Sequence, residues 1–341
     1  MCGIIGYCGV RSATSILIEG LKRLEYRGYD SAGICVGNGD SLQVIKRKGK
    51  INDLREAVTH ELGGTFGIGH TRWATHGEVN DTNAHPHTDG SGAVAIVHNG
   101  IIENFVSLRE KLTSEGYEFV TETDSEVIAH LVSSMYDGDL EKAVRESIAL
   151  LKGTYGIVCM HSAEPGHLVG ARNGSPLVLG IGEDEMFLAS DVTAIIAHTT
   201  QVVYVEDGEV VSVRPDGFHT TDLRENPVDK RIEVISWQLE EIEKDGFVHF
   251  MEKEICEQPD SILRAMRGRI EPEQGTAHLG GLNLSNKELL NLERVKIIAA
   301  GTSFYAGSVA AYLLESLARI PSTAELASEL RYRNPVVERN S

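Results

Sequence analysis

The 341-residue chain sets 32 Lys and Arg against 50 Asp and Glu, a formal charge of −18, which argues against a nucleic-acid partner and an anionic membrane surface. Hydrophobic residues at 41% and charged residues at 24% exclude wholesale disorder, and the length suggests two domains. Five scattered cysteines make no disulfide framework, and neither a signal peptide nor a membrane-spanning run of about 18 apolar residues is present, so the expected place is the cytoplasm.

Residues 3–9, 31–37, 42–49, 66–74 and 93–102 are rich in apolar or β-branched side chains between glycine or polar clusters, and read as strands. Residues 12–24 carry helical spacing in Ile16, Leu17, Leu21 and Leu24, ahead of a turn at Tyr26–Asp30. Amphipathic segments follow at 125–136, with Ser125 as an N-cap, and at 140–151. Strands resume at 155–161, 168–171, 177–181 and 186–189, and 201–213 reads as a hairpin turning at Asp207-Gly208. Strands, then helices, then strands predict an α+β layered domain ending near residue 218. Two sheets between helix layers is compatible with that pattern, which does not by itself select it.

Beyond Pro215 the character changes. Residues 222–231 are polar and read as an exposed linker, and 241–266 read as a connecting helical segment whose charges, opened by Glu240, Glu241 and Glu243, form a solvated face. A buried-type strand at 294–301 (Val295, Ile297, Ile298) then enters Gly301-Thr302-Ser303 and a helical run at 306–317, as an α/β sheet opens. Strand, turn and helix make Thr302 and Ser303 a candidate phosphate site. Too little chain follows for a complete domain of that class, so this domain is expected to be incomplete.

The chemistry concentrates at the start. A small residue at position 2 favours removal of Met1, which leaves Cys2 with a free α-amine. Nucleophile and base then share one residue, with reference pKa values of about 8.5 and about 7.7–8.0. The amine can take the thiol proton and later protonate a leaving nitrogen. Further on, Arg72 leaves a strand and suits bidentate binding of a carboxylate. Asn99 and Gly100 at another strand end offer a side-chain amide beside a backbone N–H, a donor pair for an oxyanion. Asp124, just ahead of a helix, suits an ammonium. Together these describe a site for a free α-amino acid.

Cys2-Gly3-Ile4, the segment from Leu24 to Gly33, Gly69–Gly77, Asn83–His87, His98–Asn104, the segment from Glu122 to His130, the segment from His249 to Pro259, and Gly301-Thr302-Ser303 carry a resemblance over the whole chain. The sequence resembles the glutamine–fructose-6-phosphate aminotransferase family. The resemblance implies a class II glutamine amidotransferase domain at 1–220, with the αββα sandwich of N-terminal-nucleophile hydrolases. A linker and connecting helix follow at 221–290, and the first part of a sugar-isomerase (SIS) domain at 291–341. It implies that Cys2 forms a glutamyl thioester, with Asn99 and Gly100 as the oxyanion hole. Arg72, Thr75 and His76 would hold the α-carboxylate and Asp124 the α-ammonium. Trp73 would gate ammonia, Arg27 would lie near the nucleophile, and Thr302 and Ser303 would contact the sugar phosphate. Glutamine and fructose 6-phosphate are the implied substrates and a homodimer the implied full-length assembly, with amino-sugar biosynthesis as the context. No cofactor or metal is implied. Without the rest of the isomerase half, the chain is expected to hydrolyse glutamine but not to form the amino sugar.

Other readings stand beside these. Another class II amidotransferase, serving phosphoribosylamine or asparagine synthesis, would share the first domain, and a non-catalytic glutamine-binding module would retain Met1. His85 and His87, with His76 and His98, lack metal-ligand spacing and a completing carboxylate or thiol, and are expected to order the loop over the site by hydrogen bonds. Gly3, Gly6 and Gly9 suit close packing of the nucleophile strand, and Cys8, Cys35, Cys159 and Cys256 read as inert small core residues.

Overall fold

The computed structural model describes the chain except residues 1, 40, 60–61, 236–245, 268, 272–274, 278–285, 334 and 337–340. It divides into two compact units, residues 1–245 and 246–341.

In the first unit, β1 (Gly3–Cys8) leads to helix α1 (Ala13–Leu24), then β2 (Ser31–Gly37), β3 (Leu42–Lys48), α2 (Ile51–Ala57) and β4 (Phe66–Arg72). Then come β5 (His87–Thr88), β6 (Val94–Ile102), α3 (Phe105–Ser114), α4 (Glu126–Met135) and α5 (Leu140–Ile148). The remainder is β7 (Gly153–His161), β8 (Leu168–Asn173), β9 (Val178–Ile181), β10 (Met186–Ala189), β11 (Gln201–Tyr204), β12 (Glu209–Arg214), β13 (Gly217–Asp222) and β14 (Glu233–Val234). Two antiparallel sheets result, in the orders β14-β11-β9-β10-β1-β4-β2-β3 and β13-β12-β8-β7-β6-β5.

Strand periodicity explains the layering. On β1, Ile5 and Tyr7 join the core under α1 and α2, while Ile4 and Cys8 join the core between the sheets. On β6, Val94 and Ile96 pack under α3–α5, while Ala95 and Val97 face the other sheet. Successive side chains on a strand point to opposite faces. Strands that are apolar at nearly every position are therefore buried on both sides, which yields helix, sheet, sheet, helix. Gly6 is where the sheets meet closely, since a Cβ there would lie 3.2 Å from both Leu168 and Val158 of the second sheet.

Several expectations need correction. The hairpin at 201–213 does not exist. β11 pairs with β9 and β14 in the first sheet, whereas β12 pairs with β8 and β13 in the second. The Asp207-Gly208 turn is present, with Gly208 at φ +83°, but the Gly208 N–H donates to Arg172 O at 2.8 Å, so the turn carries the chain from one sheet to the other. Ser125 precedes α4 without capping it, because its hydroxyl is bonded to His98 Nδ1 at 2.8 Å. Residues 222–231 are exposed but folded back, with Val228 N–H on Thr220 O at 2.8 Å and Lys230 paired to Glu209 at 2.6 Å. The helices α2 and α3 have no counterpart in the sequence reading.

In the second unit a helix spans Phe250–Met266 with Pro259 inside it. Of the segment expected to be helical, 241–245 lie outside the described residues, as do Glu240, Glu241 and Glu243, and Cys256 is exposed on the helix rather than in a core. Two short strands, β15 (Ile270–Glu271) and β16 (Thr276–Ala277), pair antiparallel after it. Among the described residues β17 (Val295–Ala299) pairs only with β18 (Ser322–Leu326), in parallel, and the strand expected to be buried is partly exposed, Ile298 by 45%. The following helix begins at Thr302, four residues earlier than periodicity suggested, and after Leu313 continues as a π-helical turn over Leu314–Ala318, which bears out the expected end. The last helix, Ala327–Arg333, follows β18.

Candidate active site

β1 lies between β10 and β4 in the middle of the first sheet, and Gly3 pairs with Thr71. That register puts Cys2 beside the end of β4, where the Trp73 N–H donates to Cys2 Sγ at 3.2 Å. Burial pushes the Cys2 thiol up, opposed by the Trp73 N–H and by Arg72. Met1 lies outside the described residues.

From the second sheet, β6 brings Asn99 and Gly100 to the same point. Asn99 Nδ2 donates to Cys2 O at 3.1 Å. Gly100 has φ +140°, and a Cβ there would lie 2.0 Å from Thr154 O, so only glycine fits. Asp124 enters just before α4, is buried, and accepts the Ile102 N–H at 2.8 Å through one oxygen.

Arg72 ends β4, buried, and donates to Glu78 O at 3.2 Å and to His76 O. The loop so gripped is also tied by Glu122, whose carboxylate accepts from Glu78 N at 3.0 Å and Asn83 Nδ2 at 2.9 Å. Trp73 stands half-exposed, its ring edge-on to Tyr29 at 5.5 Å. Thr75 is exposed and 3.4 Å from His76 Nδ1. Arg27 is buried and paired with Asp191 at 2.8 Å.

All nine of these residues (Cys2, Arg27, Arg72, Trp73, Thr75, His76, Asn99, Gly100 and Asp124) line one cavity of about 270 Å³. That is near the small end of ligand pockets, which run from about 300 Å³ upward. Thr302 and Ser303 belong to the second unit, exposed at the N-terminus of their helix after Gly301 at φ +57°.

Four buried histidines gather at the cavity, His85 and His98 lining it, and His70 is the one that sequence reasoning missed. His70, His85, His87 and His98 are buried; His70 stacks on His85 at 4.1 Å, and His85 meets His87 edge-on at 4.3 Å. Burial lowers all four pKa values, that of His70 to about 3. His85 lines the cavity and is in ring contact with His70 and His87, while the hydrogen bonding expected of the pair is seen at His87, whose Nε2 is bonded to Thr123 Oγ1 at 3.1 Å. The missed signal was the alternation Phe66, Ile68, His70 on one face of β4, whose first two members face the other sheet. Among the described residues no three His, Cys, Asp or Glu side chains converge to hold a metal, and no helix is long and apolar enough to cross a membrane.

Residues 70–197 match the glutamine amidotransferase domain family. Glutamine–fructose-6-phosphate aminotransferase (isomerizing) of Chlorobaculum tepidum is 49% identical over 99% of this chain and 56% of its own length. A Thermus thermophilus protein of the same name is 50% identical over 99% of this chain and 55% of its own. Among solved structures, the allosteric regulatory enzyme of purine biosynthesis is similar with TM-score 0.58 and 28% identity, covering 66% of this chain and 50% of that one. Glutamine phosphoribosylpyrophosphate amidotransferase from B. subtilis shares the fold with TM-score 0.59 at 22% identity, covering 99% and 71%. The chain spans about half the length of the curated relatives it matches. Its fold is that of the N-terminal-nucleophile amidotransferases, and over nearly all of its length the chain is similar to about half the length of the glutamine–fructose-6-phosphate aminotransferases.

Proposed function

We propose that the first unit hydrolyses the side-chain amide of glutamine at Cys2. The observation that carries this reading is the convergence of the Cys2 thiol, the Asn99 amide and Gly100 on one cavity whose lining also holds Arg72 and Asp124. Once Met1 is removed, the Cys2 α-amine takes the thiol proton and Sγ bonds to the amide carbon. Asn99 Nδ2 and the Gly100 N–H receive the oxyanion, in a site where such donors are preorganised. The C–N bond breaks as the amine returns its proton to nitrogen, releasing ammonia and leaving the thioester. Water, deprotonated by the same amine, then attacks the thioester; glutamate leaves and the thiol regains its proton. Arg72, with Thr75 and His76, takes the α-carboxylate, and Asp124 takes the α-ammonium. Arg27, held on Asp191, shapes the wall near the nucleophile, and Trp73 at the rim gates the ammonia.

In the whole protein, the ammonia would pass to fructose 6-phosphate, giving glucosamine 6-phosphate. Residues 1–220 would be the amidotransferase domain and 221–290 a connection. Residues 291–341 would open a SIS domain in which Thr302 and Ser303 contact the phosphate. Assembly as a cytoplasmic homodimer belongs to the same reading. The test is intact-mass analysis of the purified chain paired with glutamate release from glutamine. Loss of Met1 with release that disappears in Cys2→Ala is the expected result. Release that survives Cys2→Ala, or its absence from a chain already lacking Met1, would overturn the reading for this chain.

A further inference from the structure

Asn99 is useful to an oxyanion only with its NH2, not its carbonyl oxygen, turned toward Cys2. Two backbone carbonyls fix which way it turns. His70 Nε2 lies 3.1 Å from His98 O and 3.0 Å from Asn99 Oδ1. A carbonyl oxygen only accepts, so Nε2 carries the proton, and the Asn99 atom facing it must be the acceptor Oδ1. The Nδ2 group is thereby left on the other side, where Cys2 O accepts it at 3.1 Å. The opposite amide orientation would set NH2 against N–H at His70 and oxygen against oxygen at Cys2.

We propose that His70 is a positioning residue that holds the Asn99 amide with its NH2 toward the reacting carbon. This rests on the glutaminase reading above. His70 reaches Asn99 from the opposite sheet: it sits on β4 opposite Ile4 of β1, whereas Asn99 is on β6. Stacking on His85 at 4.1 Å fixes the ring plane, and its Nδ1 is buried without a hydrogen-bond partner. The ring therefore acts through Nε2 alone, as a neutral donor.

The test compares His70→Leu, which removes the donor, with His70→Gln, whose amide NH2 reaches about the position of Nε2. His70→Leu lowers kcat for glutamate release by about 10- to 100-fold, part of the 10²–10³ that one oxyanion donor is worth. KM for glutamine moves less than about threefold, and His70→Gln recovers most of the loss. In an Asn99→Ala background the same His70 change has little further effect, since the two residues act as one unit. Alkylation of Cys2 by iodoacetamide proceeds at the wild-type rate in each variant that keeps the fold. An unchanged kcat, a loss carried in KM, or full additivity with Asn99→Ala overturns the proposal. A second readout does not depend on turnover: the ¹⁵N shifts of histidine-labelled wild-type protein report the tautomer of His70. Protonated Nε2 with bare Nδ1 supports it and the reverse tautomer overturns it. Wild-type protein that releases no glutamate would count against the glutaminase reading, leaving the tautomer to decide this one.

Discussion

The two units treat apolar side chains in opposite ways. In residues 1–245 the central strands are covered on both faces, and Ile5, Tyr7, Ile34, Ile68 and Phe187 are fully buried. In the described part of residues 246–341, the helix Thr302–Leu313 is apolar all round yet buries only Gly307 and Ala311. Tyr305, Val309, Tyr312 and Leu317 stand 58–80% exposed around it and just beyond its end. Parallel strands ordinarily lie covered on both faces, and among the described residues β17 and β18 pair only with each other and pack mainly against the helix Thr302–Leu313. The difference teaches that the candidate cavity depends on two sheets that cover each other. Every proposed glutamine-handling group is held by the first unit, from strand ends that face each other across two sheets.

The sharpest way to break this comparison is Cys2→Ala. Glutamate release is expected to fall by at least about 10³-fold, with the melting temperature of the first unit nearly unchanged. Calorimetry beside the activity assay separates a lost nucleophile from a lost fold. Next in size is Leu188→Ala in the core between the sheets. It is expected to destabilise the first unit by about 2–5 kcal/mol, read from urea denaturation. Arg72→Lys replaces a forked donor by a point charge, and KM for glutamine is expected to rise about tenfold or more, measured by steady-state glutamate release.

The buried histidines make stability depend on pH. His70, His85, His87 and His98 all have folded-state values below the usual 6.5 because burial disfavours the cation. Below about pH 6.5 the unfolded chain takes up protons that the folded chain refuses. The stability is whole above that pH and is lost as pH falls toward about 3, where His70 titrates. Each such histidine contributes up to about 1.4 kcal/mol per pH unit. Melting temperatures of the first unit recorded from pH 7.5 to pH 5 should fall steadily, and a flat profile would contradict neutral burial. Smallest of all is Tyr312→Ser on the exposed helix face, expected to change stability by no more than about 0.5 kcal/mol. A loss like that of Leu188→Ala would mean that this face is covered after all.

Much of the site was legible because it depends on residue types in local settings. Cys2 ahead of an apolar strand, Arg72 and Asn99 at strand ends, and Asp124 before a helix each announce a chemistry without reference to the others. His70 was not legible in that way, since its partner Asn99 is 29 residues away on the other sheet. Ser125 shows the same limit: local pattern made it a helix cap, and a bond to His98 claimed its hydroxyl instead.

By itself, then, the sequence determined most of the strands, the candidate nucleophile at position 2, the donor and charge types near it, and the resemblance to a known family. Only the tertiary structure decided which strands share a sheet. Val202 and Val203 follow the same alternation as Val210 and Val211, and periodicity cannot tell whether an Asp-Gly turn folds a strand back on its neighbour or sends it across the sandwich. The physical reason is that side-chain alternation is a property of one strand, whereas sheet membership is set by backbone hydrogen bonds to strands elsewhere in the chain. β11 bonds to β9, and β12 bonds to β8.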